Sequence, residues 1–281
     1  MTNNIKILIA TDFTEAADNA LNYTDALFRN LYGLEVTYVL VHAFKPLVPY
    51  TNTPSMPVMS NHELEKELQK KLENLTSDFQ KKQGDQNMVK SYFKIGAVRE
   101  VLEEIASDEK PDLIVMGTRE KSAFERMAIG TNTLDVASAI SCPVLAIPKE
   151  AKATIMANLV LASDMDDFAI SPLSYSMLKR LVNRKESRLQ VLHVFSSEKE
   201  AEESESFDQT AVHDRLIKLD HKHVAIVEDD LPKGIISYVN EHQSDLLALA
   251  LSEQGFLEKI FHTSKTEKML YHAQVPVLLL N

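Results

Sequence analysis

A single cysteine, Cys142, serves the whole chain, so no disulfide can close within it. A reducing compartment is expected of a chain without such staples, and Cys142, between a helical stretch and a closing apolar strand, reads as a buried structural thiol. No apolar run reaches the roughly 20 residues that a bilayer-spanning helix needs. The opening MTNNIKILIATDF has no basic segment ahead of an apolar core, as an export signal would. A cytoplasmic protein is expected. Basic charge is scarce as well: 30 Lys and Arg stand against 41 Asp and Glu, a net charge of -11. That balance argues against nonspecific attraction to nucleic acid or an anionic membrane surface, because both need concentrated cations. The sequence also lacks a Ser-His-Asp set, a GxSxG turn and a Walker lysine.

What the chain does have, it has twice. Ile5–Leu21 reads IKILIATDFTEAADNAL and Asn158–Leu173 reads NLVLASDMDDFAISPL; Asp112–Pro148 runs from DLIVMGT to SCPVLAIP, and Asp245–Asn281 from DLLALAL to QVPVLLLN. A tandem duplication in 281 residues implies two domains, placed at 1–149 and 150–281, each large enough for its own core.

Each copy alternates strand and helix signals. Ile5–Ala10 is a continuous apolar run broken only by Lys6, as expected of a strand buried on both faces. Thr14 then caps a helix carrying Ala16, Ala17, Ala20, Leu21 and Leu27. Further strands are predicted at Leu34–Ala43, Ser91–Ile95, Leu113–Met116 and Val144–Ile147. Helices are predicted at His62–Lys82, from Gly96 through Ile105, and at Asn132–Ile140. In the second copy strands are expected near Leu159–Ala162, Leu189–Phe195, Lys222–Val227, Leu246–Ala250 and Val277–Leu280, with Lys149–Ala157 as the linker. Such alternation implies right-handed crossovers and a doubly wound parallel sheet covered on both faces. Two stretches fit no element: the proline-studded Phe44–Ser60, a mobile loop or a lid, and the Glu- and Ser-rich Ser196–Asp208, read as solvated and partly disordered.

In a parallel α/β unit, ligands bind at the carboxyl ends of the strands where the strand order reverses. Three pieces of the first copy converge there: Ala10-Thr11-Asp12 after strand one, Val41-His42 after strand two, and Met116-Gly117-Thr118-Arg119 after strand four. The last leads to Gly130-Thr131-Asn132-Thr133 at a helix start, where backbone amides and hydroxyls suit phosphate oxygens.

Taken together, ILIATDF, DLIVMGTRE, IGTNT and CPVLAIP resemble the universal stress protein family, here as two such domains in tandem. The resemblance implies an α/β fold of two Rossmann-like, five-stranded parallel sheets of order 3-2-1-4-5, related to the adenine nucleotide alpha hydrolases. ATP-binding members carry G-x2-G-x9-G-[ST] after the fourth strand, which falls here on Gly117, Glu120, Gly130 and Thr131. The resemblance places adenine near Ala10, Thr11 and Val41, ribose near Asp12 and Gly117, and phosphates near Arg119, Gly130, Thr131, Asn132 and Thr133. It implies ATP or another adenine nucleotide, with or without magnesium, in the first domain alone. Glu120 departs from the pattern: a carboxylate facing the phosphates costs roughly 1–3 kcal/mol, about ten- to a hundredfold in affinity, unless it turns outward or holds a cation. The second copy has Ala250, Glu253, Thr263 and Ser264 at the four positions and is expected to bind no ATP. Resemblance also pairs the fifth strands, Val144–Ile147 and Val277–Leu280, into an intramolecular pseudo-dimer. Association of two chains into a homodimer is not decided by the sequence.

Other constellations have plainer readings. Asp164-Met165-Asp166 looks like a phosphatase DxD nucleophile, but aligns with the capping turn of the first repeat. His221 and His223 share one face of a strand start, yet no partner cysteine or carboxylate is evident, so solvated histidines rather than a metal site are expected. His42 and His193 repeat at the end of strand two and suggest bonding to neighbouring backbone; Asp112 and Asp245 read as turn formers. Two functions stay open: a nucleotide-responsive stress protein whose conformational state is the output, and a scaffold in which both sites have decayed. Turnover is expected to be absent or limited to slow ATP hydrolysis, since the sequence supplies no general base beyond Asp12 and no arginine finger.

Overall fold

The structure is a computed structural model that describes residues 4–29, 34–46, 61–118, 131–153, 156–163, 170–182, 187–203, 211–251 and 275–281. The first half runs β1 (Asn4–Ala10), α1 (Glu15–Arg29), β2 (Glu35–Phe44), α2 (Asn61–Gln83), β3 (Met88–Ile95), α3 (Val98–Glu109), β4 (Leu113–Thr118), α4 (Thr131–Ala139) and β5 (Val144–Pro148). The second runs β6 (Asn158–Ala162), α5 (Pro172–Val182), β7 (Arg188–Phe195), α6 (Glu198–Glu203), α7 (Ala211–Leu216), β8 (His221–Val227), α8 (Leu231–Glu241), β9 (Leu246–Ala250) and β10 (Val277–Leu280). No described helix is long and apolar enough to cross a membrane.

The strands form one ten-stranded sheet, β3-β2-β1-β4-β5-β10-β9-β6-β7-β8. Each half keeps the order 3-2-1-4-5 and is parallel throughout; the halves meet where β10 pairs with β5 antiparallel, Leu278 opposite Leu145. Because strand side chains alternate between faces, the apolar runs feed two core layers. One holds Ile5, Ile7 and Ile9 under α1 and α2, and continues through Leu278 to Leu178 and Val212 of the second half. The other holds Leu8, Val39 and Ile114 under α3 and α4, and continues through Leu279 to Ile235 and Val239 of α8. The outermost strands, β3 and β8, are only partly buried and carry Lys90, Lys94 and Lys222, charges that discourage edge-to-edge pairing.

Several sequence expectations change in detail. β4 extends past Met116 to include Gly117 and Thr118, which pair with Ile147 and Pro148, so these two residues lie in the strand rather than in the loop after it. Ala97, not Gly96, is the N-cap of α3. Ser196–Asp208 is not wholly irregular: Glu198–Glu203 is helical, started by Ser197 Oγ accepting from the Glu200 amide at 3.3 Å while the Glu200 carboxylate accepts from the Ser196 amide at 2.8 Å. Asp112 and Asp245 are strand anchors rather than turn formers. Asp112 accepts from the Lys6 amide and donates its own amide to the Lys6 carbonyl, both at 2.8 Å. Asp245 does the same for Asn158, at 2.9 and 2.8 Å, and also accepts from the Ala157 amide. Cys142 is buried as expected, with its thiol donating toward the Pro111 carbonyl at 3.3 Å; burial and the Asp112 charge push it up to about 12. It is a thiol, not a thiolate nucleophile.

Candidate functional site

The strand order of the first half reverses between β1 and β4, whose connections run to opposite sides. At that point Ala10 is flanked in register by Val41 of β2 and Met116 of β4, which brings three of the predicted site residues into one row at the strands' carboxyl ends. The chain turns sharply after Ala10. The Thr11 amide donates to the Val41 carbonyl at 2.8 Å, and the Phe13 amide donates to Thr11 Oγ1 at 3.1 Å. Phe13 takes φ 59°, a left-handed conformation uncommon outside glycine. The exposed Asp12 accepts from the Thr14 amide at 3.1 Å and from the Thr14 hydroxyl, while the Thr14 carbonyl takes the first helical bond of α1 from Asp18 at 2.9 Å.

His42 has the backbone role expected of it: Nδ1 lies 2.8 Å from the Thr11 carbonyl and must donate, since that oxygen can only accept. The ring sits between Phe13 and Phe93, at centroid distances of 4.6 and 5.4 Å, and burial holds its pKa below the ordinary value, so the neutral tautomer has its lone pair on Nε2. That atom is buried without a hydrogen-bond partner. Phe13 and Lys71 went unread in the sequence; the Lys71 ammonium stands 4.9 Å from the Phe13 ring centroid. The helical period of α2, with Leu68 and Leu72 inward, contained the signal for Lys71, but not which turn it would face.

Gly117 has a packing reason for being glycine. A Cβ there would lie 2.4 Å from the Ala16 carbonyl oxygen and 2.8 Å from the Ala17 nitrogen, so the first turn of α1 rests directly on β4. In the second half Ala250 pairs with Leu280 as Gly117 pairs with Ile147, so a methyl group stands where Gly117 has none. Thr118 is buried, with its hydroxyl 3.4 Å from the Ile147 carbonyl, and Thr133 of α4 is 2 % exposed while Asn132 is open to solvent. Thr131 opens α4. Arg119, Glu120 and Gly130 lie outside the described residues, as do Asp164, Asp166, Glu253, Thr263, Ser264 and the stretch 47–60.

The second half repeats part of this turn. Ser163 donates its amide to the Leu192 carbonyl at 3.3 Å, as Thr11 does to Val41. His193 departs from its counterpart: its Nε2 lies 3.0 Å from Nδ1 of His223, where His42 meets a backbone carbonyl. His221 and His223 are not isolated solvated histidines either, because α7 brings His213 against both. The partner of this pair is a third histidine, ten residues before His223 in the sequence, and not a cysteine or carboxylate.

The family model described as the universal stress protein family matches residues 4–148 and again 168–281. A universal stress protein of Methanocaldococcus jannaschii is 28% identical over 157 residues, 52% of this chain and 95% of that protein. A second from the same organism is 31% identical over 153 residues, 52% of this chain and 84% of its own length. Among solved structures, a universal stress protein from Archaeoglobus fulgidus superposes with a TM-score of 0.69 at 18% identity, covering 100% of this chain and 99% of that one.

Proposed function

Because the chain belongs to the universal stress protein family, a family of stress-response proteins, we propose that its first half binds ATP or a related adenine nucleotide and signals through its conformational state rather than through turnover. The observation that supports this most directly is the row Val41, Ala10, Met116 at the strand-order reversal, an apolar floor suited to adenine, with Asp12 exposed beside it. Gly117 lies near the end of β4 and Thr131-Asn132-Thr133 opens α4, and the family resemblance assigns these residues, with Arg119 and Gly130, to the ribose and phosphates. In this reading the units are 1–149 and 150–281, the second is silent toward ATP, and the β5–β10 joint makes the chain its own pseudo-dimer. Asp12 Oδ1 accepts from both the amide and the hydroxyl of Thr14, which gives this carboxylate a part in holding the turn.

The test is a calorimetric titration of ATP with magnesium into the full chain, repeated with Glu120→Gly and Gly130→Asp. Saturable heat at about one site per chain, tightened roughly ten- to a hundredfold by Glu120→Gly and abolished by Gly130→Asp, is the expected result. No heat in either the wild type or Glu120→Gly would replace the nucleotide sensor with the scaffold reading.

A further inference from the structure

Four histidines of the second half converge at the far edge of the sheet. His221 and His223, two apart on β8, project from one face, and His193 of β7, paired in register with Ala225, projects from the same face. This is the face that α7 covers with Val212 and Leu216, and α7 adds His213. One ring nitrogen from each of His213, His221 and His223 lies within 4.8 Å of the others, and all three rings are half-buried. Among the described residues of the first half nothing equivalent is found, and the register positions of His221 and His223 are held there by Val89 and Ser91.

A backbone bond and a ring–ring bond hold His221 and His223 with their Nε2 atoms facing each other. His221 Nδ1 lies 2.8 Å from the Leu219 carbonyl oxygen, which can only accept, so the neutral ring keeps its lone pair on Nε2. His223 Nδ1 lies 3.0 Å from His193 Nε2; with the proton on Nδ1, His223 likewise presents a lone pair at Nε2. These two Nε2 atoms stand 3.2 Å apart. Two bare lone pairs at that distance repel, and the arrangement is favourable only with a proton or a cation between them. A tetrahedral zinc ion with Zn–N bonds of about 2.0–2.1 Å holds its nitrogens roughly 3.3 Å apart, close to the separation found here.

We propose that His213, His221 and His223 bind a divalent transition cation of the zinc class, and that His193 positions His223 for it. Three neutral imidazoles favour zinc, copper or nickel over magnesium or calcium, which prefer oxygen ligands. The fourth coordination position is left to water or an incoming ligand. The His193–His223 bond is the kind of outer contact that sets the tautomer and ring orientation of a metal-bound histidine.

The experiment titrates zinc chloride into chelator-treated full-length protein, followed by calorimetry and metal analysis after dialysis, with cobalt(II) as a visible-absorption probe of tetrahedral geometry. One zinc per chain is expected, with an intense tetrahedral cobalt spectrum and a melting temperature that rises with zinc. His193→Gln should weaken binding about 10–100-fold, and His213→Gln or His223→Gln should weaken it further; His62→Gln, on α2, should change nothing. Zinc binding should release protons and weaken in acid, because metal-bound histidines must be deprotonated. The glutamine variants retain volume and polarity, and circular dichroism shows whether each is folded. The proposal is overturned if the wild type binds zinc no more tightly than a His213→Gln, His221→Gln, His223→Gln triple variant. It is equally overturned if folded His213→Gln and His223→Gln both keep wild-type affinity.

Discussion

Gly117 is read one way from sequence, as an amide beside a ligand, and another way from the fold, as the only residue that lets α1 sit on β4. Gly117→Ala drives a Cβ into backbone rather than into a yielding side chain, so it should cost about 1–3 kcal/mol in urea unfolding even without nucleotide. An unchanged midpoint would show that the seat of α1 is not where the structure puts it. Glu109 is a second residue whose role was not legible. Its carboxylate accepts from Lys6 Nζ at 2.7 Å, from Lys90 Nζ at 3.2 Å and from the Tyr92 hydroxyl. The Lys6 and Tyr92 bonds outweigh desolvation and lower its pKa from 4.5 to about 2. A depressed carboxylate stabilises the fold fully above its unfolded value and loses that contribution as pH falls through the folded one. Melting temperature should therefore decline between pH 4.5 and about 2 in the wild type, and less steeply in Glu109→Gln. Identical acid slopes would refute the link. The partners of Glu109 lie on β1 and β3 rather than on its own helix, which is why no local pattern announced it.

At the scale of elements, the strand and helix signals were legible because they depend on short periods: Ile5–Ala10, Leu246–Ala250 and Val277–Leu280 stand close to where their apolar runs put them. Ends were less legible, as β4 shows, because Gly117 and Thr118 belong to the strand only through pairing with Ile147 and Pro148. The repeated Asp112 and Asp245 brackets tie the start of one strand to the start of its neighbour in each half. Asp245→Ala leaves the Ala157 and Asn158 amides without their acceptor, a loss of about 1–3 kcal/mol. Asp245→Asn, which keeps an acceptor oxygen, should lose less. Hydrogen exchange at those two amides reports it directly: faster exchange in the alanine variant is expected, and unchanged exchange would leave Asp245 a simple turn former. The row Ala10, Val41, Met116 was legible as a site because topology rules place ligands at the reversal, whereas the histidine cluster was not.

Across the whole molecule, both core layers pass uninterrupted through the β5–β10 joint, so the halves share one interior. Unfolding should be a single transition, coincident in far-ultraviolet dichroism and in tyrosine absorbance. Leu278, fully buried between Leu145 and Ala248, tests this. Leu278→Asp buries an unpaired charge at a cost of several kcal/mol, on the order of a large fraction of a domain's stability, and hydrogen exchange should accelerate in both halves. Fast exchange confined to β6–β10, with β1–β4 fully protected, would mean that the halves unfold independently. Asn281 reinforces the joint by donating to the Cys142 carbonyl at 3.1 Å across it.

By itself the sequence determined the duplication, the alternation of strand and helix, the inward faces of Ile5–Ala10 and its repeat, and the family, because these rest on local periodicity and on motifs read along the chain. Only the tertiary structure decided which distant residues meet: Gly117 under Ala16, Lys6 and Tyr92 at Glu109, and His213 against His221 and His223. Those meetings depend on how crossovers stack one element over another. A change of one turn in α7 would move His213 away while leaving the apolar period that the sequence displays almost intact.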